Sequence, residues 1–473
     1  MNMRIFSSGR RALAAFALVG LVLGGCAGAR YDSADLTRAV AAETDVAARY
    51  GLDTAWWRAY GNQALDKAVD LALERNVDLA KSALTAQKAR YAARLRLSDL
   101  IPALSAEGSA TSTRNLGEHD AGGERDMYES WAVQGSLNYE LDLWQRLAAA
   151  HDAASWEYRA TLEDLAAARL ALINSVVGSW WEIAYLDQAM RLVEGNIAAY
   201  ARILDIARQR YAQGKAAVVE PLEADQALLT ARHSLTTLRV QRAQALQTLR
   251  DLCNLRPGED PPLPGGLDIL ALVGAPVNLD VPIAALAARP DIRAAESRVQ
   301  STFKTVAADR AAWYPRFSVG GSLEATAGSS GAVLDTPLLS GLVRLSLPFL
   351  DWNTLWWNLK VSQSEFESAK LQLIQSLTTA LNEVDAAYAA YRLDGEALVQ
   401  LQTVHQRDVH IAAYYQARHA VGRAALKDYL EALATANSSA LAALEARYNR
   451  LMQENDVYKA MGGRYTPLRP AQQ

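Results

Sequence analysis

The stretch Arg316-Phe-Ser-Val-Gly-Gly-Ser-Leu-Glu-Ala325 decides what kind of protein this is. Phe317, Val319, Leu323 and Ala325 fall on one face, with Gly321 between them, and Arg316, Ser318, Gly320, Ser322 and Glu324 fall on the other. A period of two marks a strand with one apolar side. The return arm, Ser340 to Phe349, sets Val343, Leu345, Leu347 and Phe349 against Arg344 and Ser346. A near-copy lies earlier in the chain. Tyr128 to Glu140 alternates Trp131, Val133, Leu137 and Tyr139 against Ser130, Gln134, Ser136, Asn138 and Glu140. Ala103 to Thr113 alternates Leu104, Ala106 and Ala110 against Ser105, Glu107, Ser109 and Thr111.

Around these four half-polar strands the pattern is helical. Steps of seven from Leu162 reach Arg169, Val176, Ile183, Met190, Ile197, Leu204 and Tyr211, and a second series runs Leu165, Leu172, Ser179, Leu186, Val193, Tyr200, Ala207. Two interleaved heptad series predict one coiled-coil helix from Trp144 to about Tyr211, roughly 100 Å long at 1.5 Å per residue. A second long helix is expected from Trp352 to Arg418, with Leu377, Val384, Tyr391 and Leu398 in one row. Gly214 signals a turn, and Pro221 suits the first turn of a helix ending near Leu252. Upstream, Trp56-Trp57 precede a helical pattern from Leu65 through Leu79 to Leu97, while 26–61 reads as a lipidated N-terminal tether, irregular from Arg30 to Asp53.

The chain repeats itself. Leu73, Asp78 and Pro102 match Leu286, Asp291 and Pro315 at an offset of 213, and Gly214, Glu220 and Glu223 match Gly422, Asp428 and Glu431 at 208. Each half (62–253 and 284–461) therefore reads helix, hairpin, very long helix, tight turn, helix. The proline-rich stretch 254–283 links them, and 462–473 is a tail.

The totals exclude several classes. With 473 residues, a net charge of −4 and two cysteines, the chain offers neither a nucleic-acid-binding charge excess nor a disulfide framework. Cys253 reads as a buried small apolar residue. The first residues, 1–25, read as an export signal: Arg4, Arg10 and Arg11, then an apolar run from Ala12 to Leu23 too short to span a bilayer. Leu23-Gly24-Gly25-Cys26 resembles a bacterial lipobox, which implies a covalent lipid (palmitate among its chains) on Cys26 and, with Ala27 following, an outer-membrane destination. No downstream apolar run is long enough for a membrane helix, so any crossing falls to the strands. Four strands cannot close a barrel, which requires about eight. Copies must pool hairpins, giving eight strands as a dimer or twelve as a trimer. Glu107, Glu140, Arg316, Glu324 and Arg344 would then face a watery lumen. Trp313, Tyr314, Trp352, Trp356, Trp357, Tyr139 and Trp144 cluster where strands meet helices, as aromatic girdles do.

Catalytic signatures are missing. His405, His410 and His419 make no metal pair, there is no phosphate-binding glycine loop, and no serine sits in a nucleophile elbow. The reading is a passage, with no cofactor and no enzyme activity.

Trp56-Trp-Arg-Ala-Tyr-Gly-Asn-Gln-Ala-Leu65, Asn76-Val-Asp-Leu79, Tyr139-Glu-Leu-Asp-Leu-Trp144, Arg289-Pro-Asp-Ile292 with Glu296, and Leu347-Pro-Phe-Leu-Asp351 come in this order inside the two-fold repeat. Together they resemble the outer-membrane factor family of TolC-like ducts, and the N-terminus resembles its NodT-type efflux lipoproteins. The resemblance implies a mainly α fold, a long coiled-coil helical barrel in the periplasm with four strands per chain completing a 12-stranded barrel as a homotrimer. It implies partners too: a periplasmic adaptor and an inner-membrane pump, of RND type, moving small molecules. Gly214, Lys215, Val421 and Gly422 would be the adaptor-docking tips. Tyr211, Glu220, Glu223, His419, Arg423, Asp428 and Glu431 match the family's periplasmic gate, although His419 stands at its tyrosine position and Ala424 at its arginine position. Two alternatives stay open: a lipid-tethered periplasmic coiled coil bridging envelope layers, and an outer-membrane duct for protein secretion.

Overall fold

The computed structural model describes residues 33–114, 127–272, 277–278, 283–327 and 337–465. Cys26 and the export signal lie outside the described residues, as do both hairpin loops. In chain order come α1 (Ser33–Arg49), β1 (Leu52–Asp53), a 3-10 turn (Trp56–Tyr60), α2 (Gln63–Arg75), α3 (Val77–Ser98), β2 (Ala103–Arg114) and β3 (Met127–Leu141). They are followed by α4 (Arg146–Ala212), α5 (Val219–Leu252), α6 (Pro290–Ala311), β4 (Arg316–Ala327), β5 (Pro337–Ser346), α7 (Trp352–Ala420), α8 (Leu426–Met461) and β6 (Arg464–Tyr465). The chain divides into two compact units, the first built on Leu84–Thr161 and Glu296–Gln372, the second on Ala34–Ala83, Leu162–Ala295 and Leu373–Gln473.

The first unit carries one antiparallel sheet in the order β2-β3-β4-β5. Its register joins the two hairpins so that all four apolar series share a face. Rows on that face read Leu104–Leu137–Gly321–Gly341 and Ala106–Gly135–Leu323–Leu339. Rows on the other read Ser105–Ser136–Ser322–Ser340 and Glu107–Gln134–Glu324–Leu338. The Ser105 and Ser136 hydroxyls bond at 2.7 Å. Gly320 permits the close approach of β3 and β4, since a Cβ there would meet the Leu137 carbonyl oxygen at 2.9 Å. β5 stops at Ser346, short of the expected Phe349. Pro348 has no N–H to continue a ladder and instead opens a 3-10 turn, Pro348–Asp351.

The second unit holds the heptad core. Leu165, Leu172, Ser179, Leu186, Val193, Tyr200 and Ala207 are all buried, the whole of the second predicted series. Trp56, Trp57, Trp180 and Trp181 are fully buried, so the mid-helix tryptophans are core and not girdle. Trp56 donates to Asn455 Oδ1 at 2.9 Å, Trp180 donates to the Pro262 carbonyl at 3.1 Å, and Trp181 meets Tyr60 edge-on. The proline-rich stretch is thus packed: Gln188 bonds Asp268 and the Ile269 amide, and Arg447 donates to the carbonyls of Ile269 and Leu272.

Two expectations are corrected in this unit. The tether is not irregular throughout, because α1 forms and buries Ala39, Glu43 and Ala47 at steps of four, with Arg169 donating to Glu43 at 2.9 Å. Alanines and a carboxylate make too faint an apolar stripe to announce a helix. The first-repeat helix is not continuous either. It breaks at Asn76, whose backbone is extended (φ −65°, ψ 122°).

That break exposes the internal symmetry. Asn76 accepts from the Leu79 amide at 2.8 Å, capping α3, and its amide donates to the Leu252 carbonyl at the end of α5 at 2.9 Å. Its repeat partner is Arg289, just before α6, and Arg289 donates to the Ala460 carbonyl at the end of α8 at 2.7 Å. Leu252 and Ala460 are themselves repeat partners, so the same tie is built twice with different chemistry. Arg289 adds bonds to Asp291 and Glu383, both at 2.7 Å.

Candidate functional site

Two regions carry the predicted site residues: the polar face of the sheet, and the two helical hairpin tips.

On the sheet, pairing sets Glu107, Gln134 and Glu324 in one row, Glu140, Ser318 and Arg344 in another, and Arg316 beside Ser346 at the strand foot. Glu107, Glu324 and Arg344 are exposed. Glu140 is engaged, because Arg146 in the first turn of α4 donates to it at 2.7 Å. Asp142 caps the same helix, accepting from the Leu147 and Ala148 amides at 3.0 and 2.8 Å. Trp144 stacks on Tyr314 at 4.8 Å and donates to the Pro315 carbonyl at 2.9 Å, which fixes the backbone entering β4. Trp352, Trp356 and Trp357 are exposed.

The tips are copies of one another. Gly214 and Gly422 both take φ +70°, the left-handed conformation that ends a helix cheaply only at glycine. At the first, the Lys215 amide donates to the Arg210 carbonyl and the Gly214 amide to the Tyr211 carbonyl, each at 2.9 Å. At the second, Arg423 donates to Arg418 and Gly422 to His419, again at 2.9 Å. These are paired Schellman closures. Lys215, Tyr211, Val421, Gly422 and Arg423 are exposed, and Val218 and Leu222 add apolar surface at the first tip.

Behind the tips the gate positions separate into distinct roles. Asp428 accepts from the Ala425 amide at 3.2 Å, so it caps its own helix. Glu431 lies 3.7 Å from Lys427 in an exposed pair. Glu223 and Glu431, repeat partners, line one groove of about 700 Å³ between α5 and α8, with Tyr200, Lys427 and Asn437. Glu220 lines a second groove of about 520 Å³ with Arg210, His419, Ile203 and Tyr429. There His419 lies between two partners: its Nδ1 is 3.2 Å from the Ala424 carbonyl and its Nε2 is 3.4 Å from an Arg210 N–H. A neutral ring, protonated on Nδ1, satisfies both. Tyr429 stacks on it, and burial raises the Tyr429 pKa. Tyr211, expected as the first-repeat gate tyrosine, is exposed. The repeat offset already pointed to the pairing of Glu223 with Glu431. Asn76 and Arg289 stand in motifs of the family resemblance, but neither those motifs nor the repeat named their carbonyl partners, and nothing in the sequence announced the Arg210–His419 tie.

Comparison with known proteins decides the family. The outer membrane efflux protein family matches residues 68–255 and 281–463. The chain belongs to that family. Toxin and drug export protein A of Aggregatibacter actinomycetemcomitans is 37% identical over 89% of this chain and 91% of its own. Outer membrane protein OprJ of Pseudomonas aeruginosa is 28% identical, covering 94% of each chain. Among solved structures, the open state of the Neisseria gonorrhoeae MtrE outer membrane channel superposes with a TM-score of 0.72 at 27% identity, over 84% of this chain and 89% of that one. The protein is therefore an outer-membrane efflux channel, and the family is one of transport ducts.

Proposed function

We propose that three copies of this chain close a twelve-stranded barrel, with the apolar face of the sheet to lipid and the polar face to a water-filled lumen. The one-faced sheet carries this reading. Its apolar rows run through all four strands, and the outer edges of β2 and β5 pair with no further strand among the described residues. A closed barrel satisfies both the open edges and the apolar face. The helix α7 supports self-association, exposing Ile374, Leu381, Leu393, Val399 and Val404. Cys26 carries the lipid anchor. The tips at Gly214–Lys215 and Val421–Gly422 dock on a periplasmic adaptor, and an inner-membrane pump of RND type supplies the energy. Glu223 and Glu431 with Glu220 form the acidic constriction, and Arg210 with His419 takes the place of the family's tyrosine contact. The cargo is small toxic molecules. A relative named for export of toxin as well as drug gives a second reading, a polypeptide cargo.

Purified protein in a planar bilayer tests the duct: trimers should open pores. A protein that forms none, and leaves the membrane without detergent once Cys26 is removed, would instead be a tethered envelope spacer.

A further inference from the structure

A cavity of about 520 Å³ lies in the first unit where the strands leave the helices. Arg316 and Asp309 both line it, together with Ser301, Thr305 and Asn358. Its other charges are matched: Arg146 by Glu140 at 2.7 Å, Arg96 by Asp99 at 3.6 Å, and Glu157 by Arg298 at 3.8 Å. Arg316 and Asp309 are different. Both are half-buried, yet neither side chain makes a hydrogen bond or ion pair among the described residues, with each other or with anything else. The Arg316 Nε is wholly shielded from solvent and unpartnered. A guanidinium that gives up water without gaining an acceptor is costly, and so is a carboxylate without a donor.

The cavity is rigidly framed. Trp144 holds the Pro315 carbonyl immediately before Arg316, Tyr314 is stacked against the same indole, and Arg316 is locked into the sheet opposite Ser346. On α6, the Ser301 hydroxyl donates to the Ala153 carbonyl at 2.8 Å and Lys304 pairs with Asp152 at 2.8 Å. These ties fix the helix that carries Asp309.

We infer that this cavity is a subsite for zwitterionic solutes, taking an anionic group on Arg316 and an ammonium group on Asp309. The inference deepens the duct reading and rests on it: Arg316 belongs to the polar series of the sheet, so the subsite opens to the lumen at the strand foot. Two opposite charges that stay apart suit a solute carrying both, and reject one carrying only one, because the unmatched wall charge then repels it or stays unpaired. In a duct such a site must hold weakly, since a solute that binds tightly blocks the path.

The test is single-channel recording of the assembled trimer with triglycine as probe, against N-acetyl-triglycine and triglycine amide. Triglycine should produce saturable current noise, and each singly charged analogue should need about ten times the concentration, the loss of one charge-assisted hydrogen bond. Arg316→Gln should abolish the preference over triglycine amide, and Asp309→Asn the preference over N-acetyl-triglycine. Absence of any pore would overturn the duct. Pores with equal response to all three probes, or a preference untouched by both substitutions, would overturn the subsite alone. A further result would also overturn it: wild-type pores indifferent to triglycine, together with Arg316→Gln trimers that dissociate. That would mean the guanidinium is paired by a neighbouring copy.

Discussion

Leu338 and Leu339 are adjacent, chemically identical and both largely exposed, at 68% and 83%. Only the sheet register separates them: Leu338 lies in the row of Glu324, and Leu339 in the row of Leu323. In the proposed barrel, Leu338 would face water and Leu339 lipid. Leu339 stands seven residues above the strand foot at Ser346. At a rise of ~3.4 Å per residue and a tilt of ~40°, it sits about 18 Å up an apolar band of about 25 Å. Arginine on the lipid side at that depth costs about 2 kcal/mol per copy, hence about 6 kcal/mol per trimer, since symmetry repeats it three times. Leu338→Arg places a cation in water beside Glu324 and should cost close to nothing. Urea titration of trimers resistant to SDS, with yield in the outer-membrane fraction, measures both variants. Leu339→Arg should fail to assemble while Leu338→Arg assembles with altered conductance. The reverse outcome would put the register off by one, and equal behaviour would mean the sheet does not lie in lipid.

Three further expectations follow from particular contacts. Asn76→Ala removes a cap and a tie to α5 and should lower stability by about 1–2 kcal/mol, whereas Arg289→Met, which loses bonds to Ala460 and Glu383, should lower it by about 2–3 kcal/mol in denaturant titration. Burial pushes the Glu163 carboxyl up to about 7, with Arg293 pulling it down. Because this folded-state value exceeds the unfolded value of 4.5, the native state holds the extra proton between them, and stability falls as pH rises through that window. The calorimetric midpoint should accordingly rise from pH 8 to pH 5.5, and Glu163→Gln should flatten that slope. At the tips, Glu223→Gln with Glu431→Gln should reduce cation preference in reversal-potential measurements, while Asp428→Asn, which perturbs only a helix cap, should cost stability and leave selectivity unchanged.

The alternation at Arg316–Ala325 and the heptads from Leu165 to Ala207 were legible because each encodes a local period. A strand half in contact with apolar surroundings repeats every two residues, and a packed helix repeats every seven over two turns. The offsets of 213 and 208 carried the two-fold plan without any three-dimensional information. What stayed hidden were the contacts between segments distant in the chain. Asn76 ends α2 because the Leu252 carbonyl is near enough to take its amide, and that proximity exists only in the folded chain. Glu43 is buried against Arg169, 126 residues further along the chain. Glu140 keeps its place in the polar row of the sheet, and the turn into α4 adds Arg146 as its partner at 2.7 Å.

The sequence by itself determined the repeated order of helix, hairpin, long helix and turn, and the face of each strand, because these follow from spacing along the backbone. Only the tertiary structure decided that β3 pairs with β4 to merge two hairpins into one sheet, that Trp180 and Trp181 of α4 are core, and that the carboxylates expected at the gate divide between a helix cap and two grooves. Pairing and burial depend on which surfaces meet, and a pattern along one strand or helix specifies a face without naming its partner.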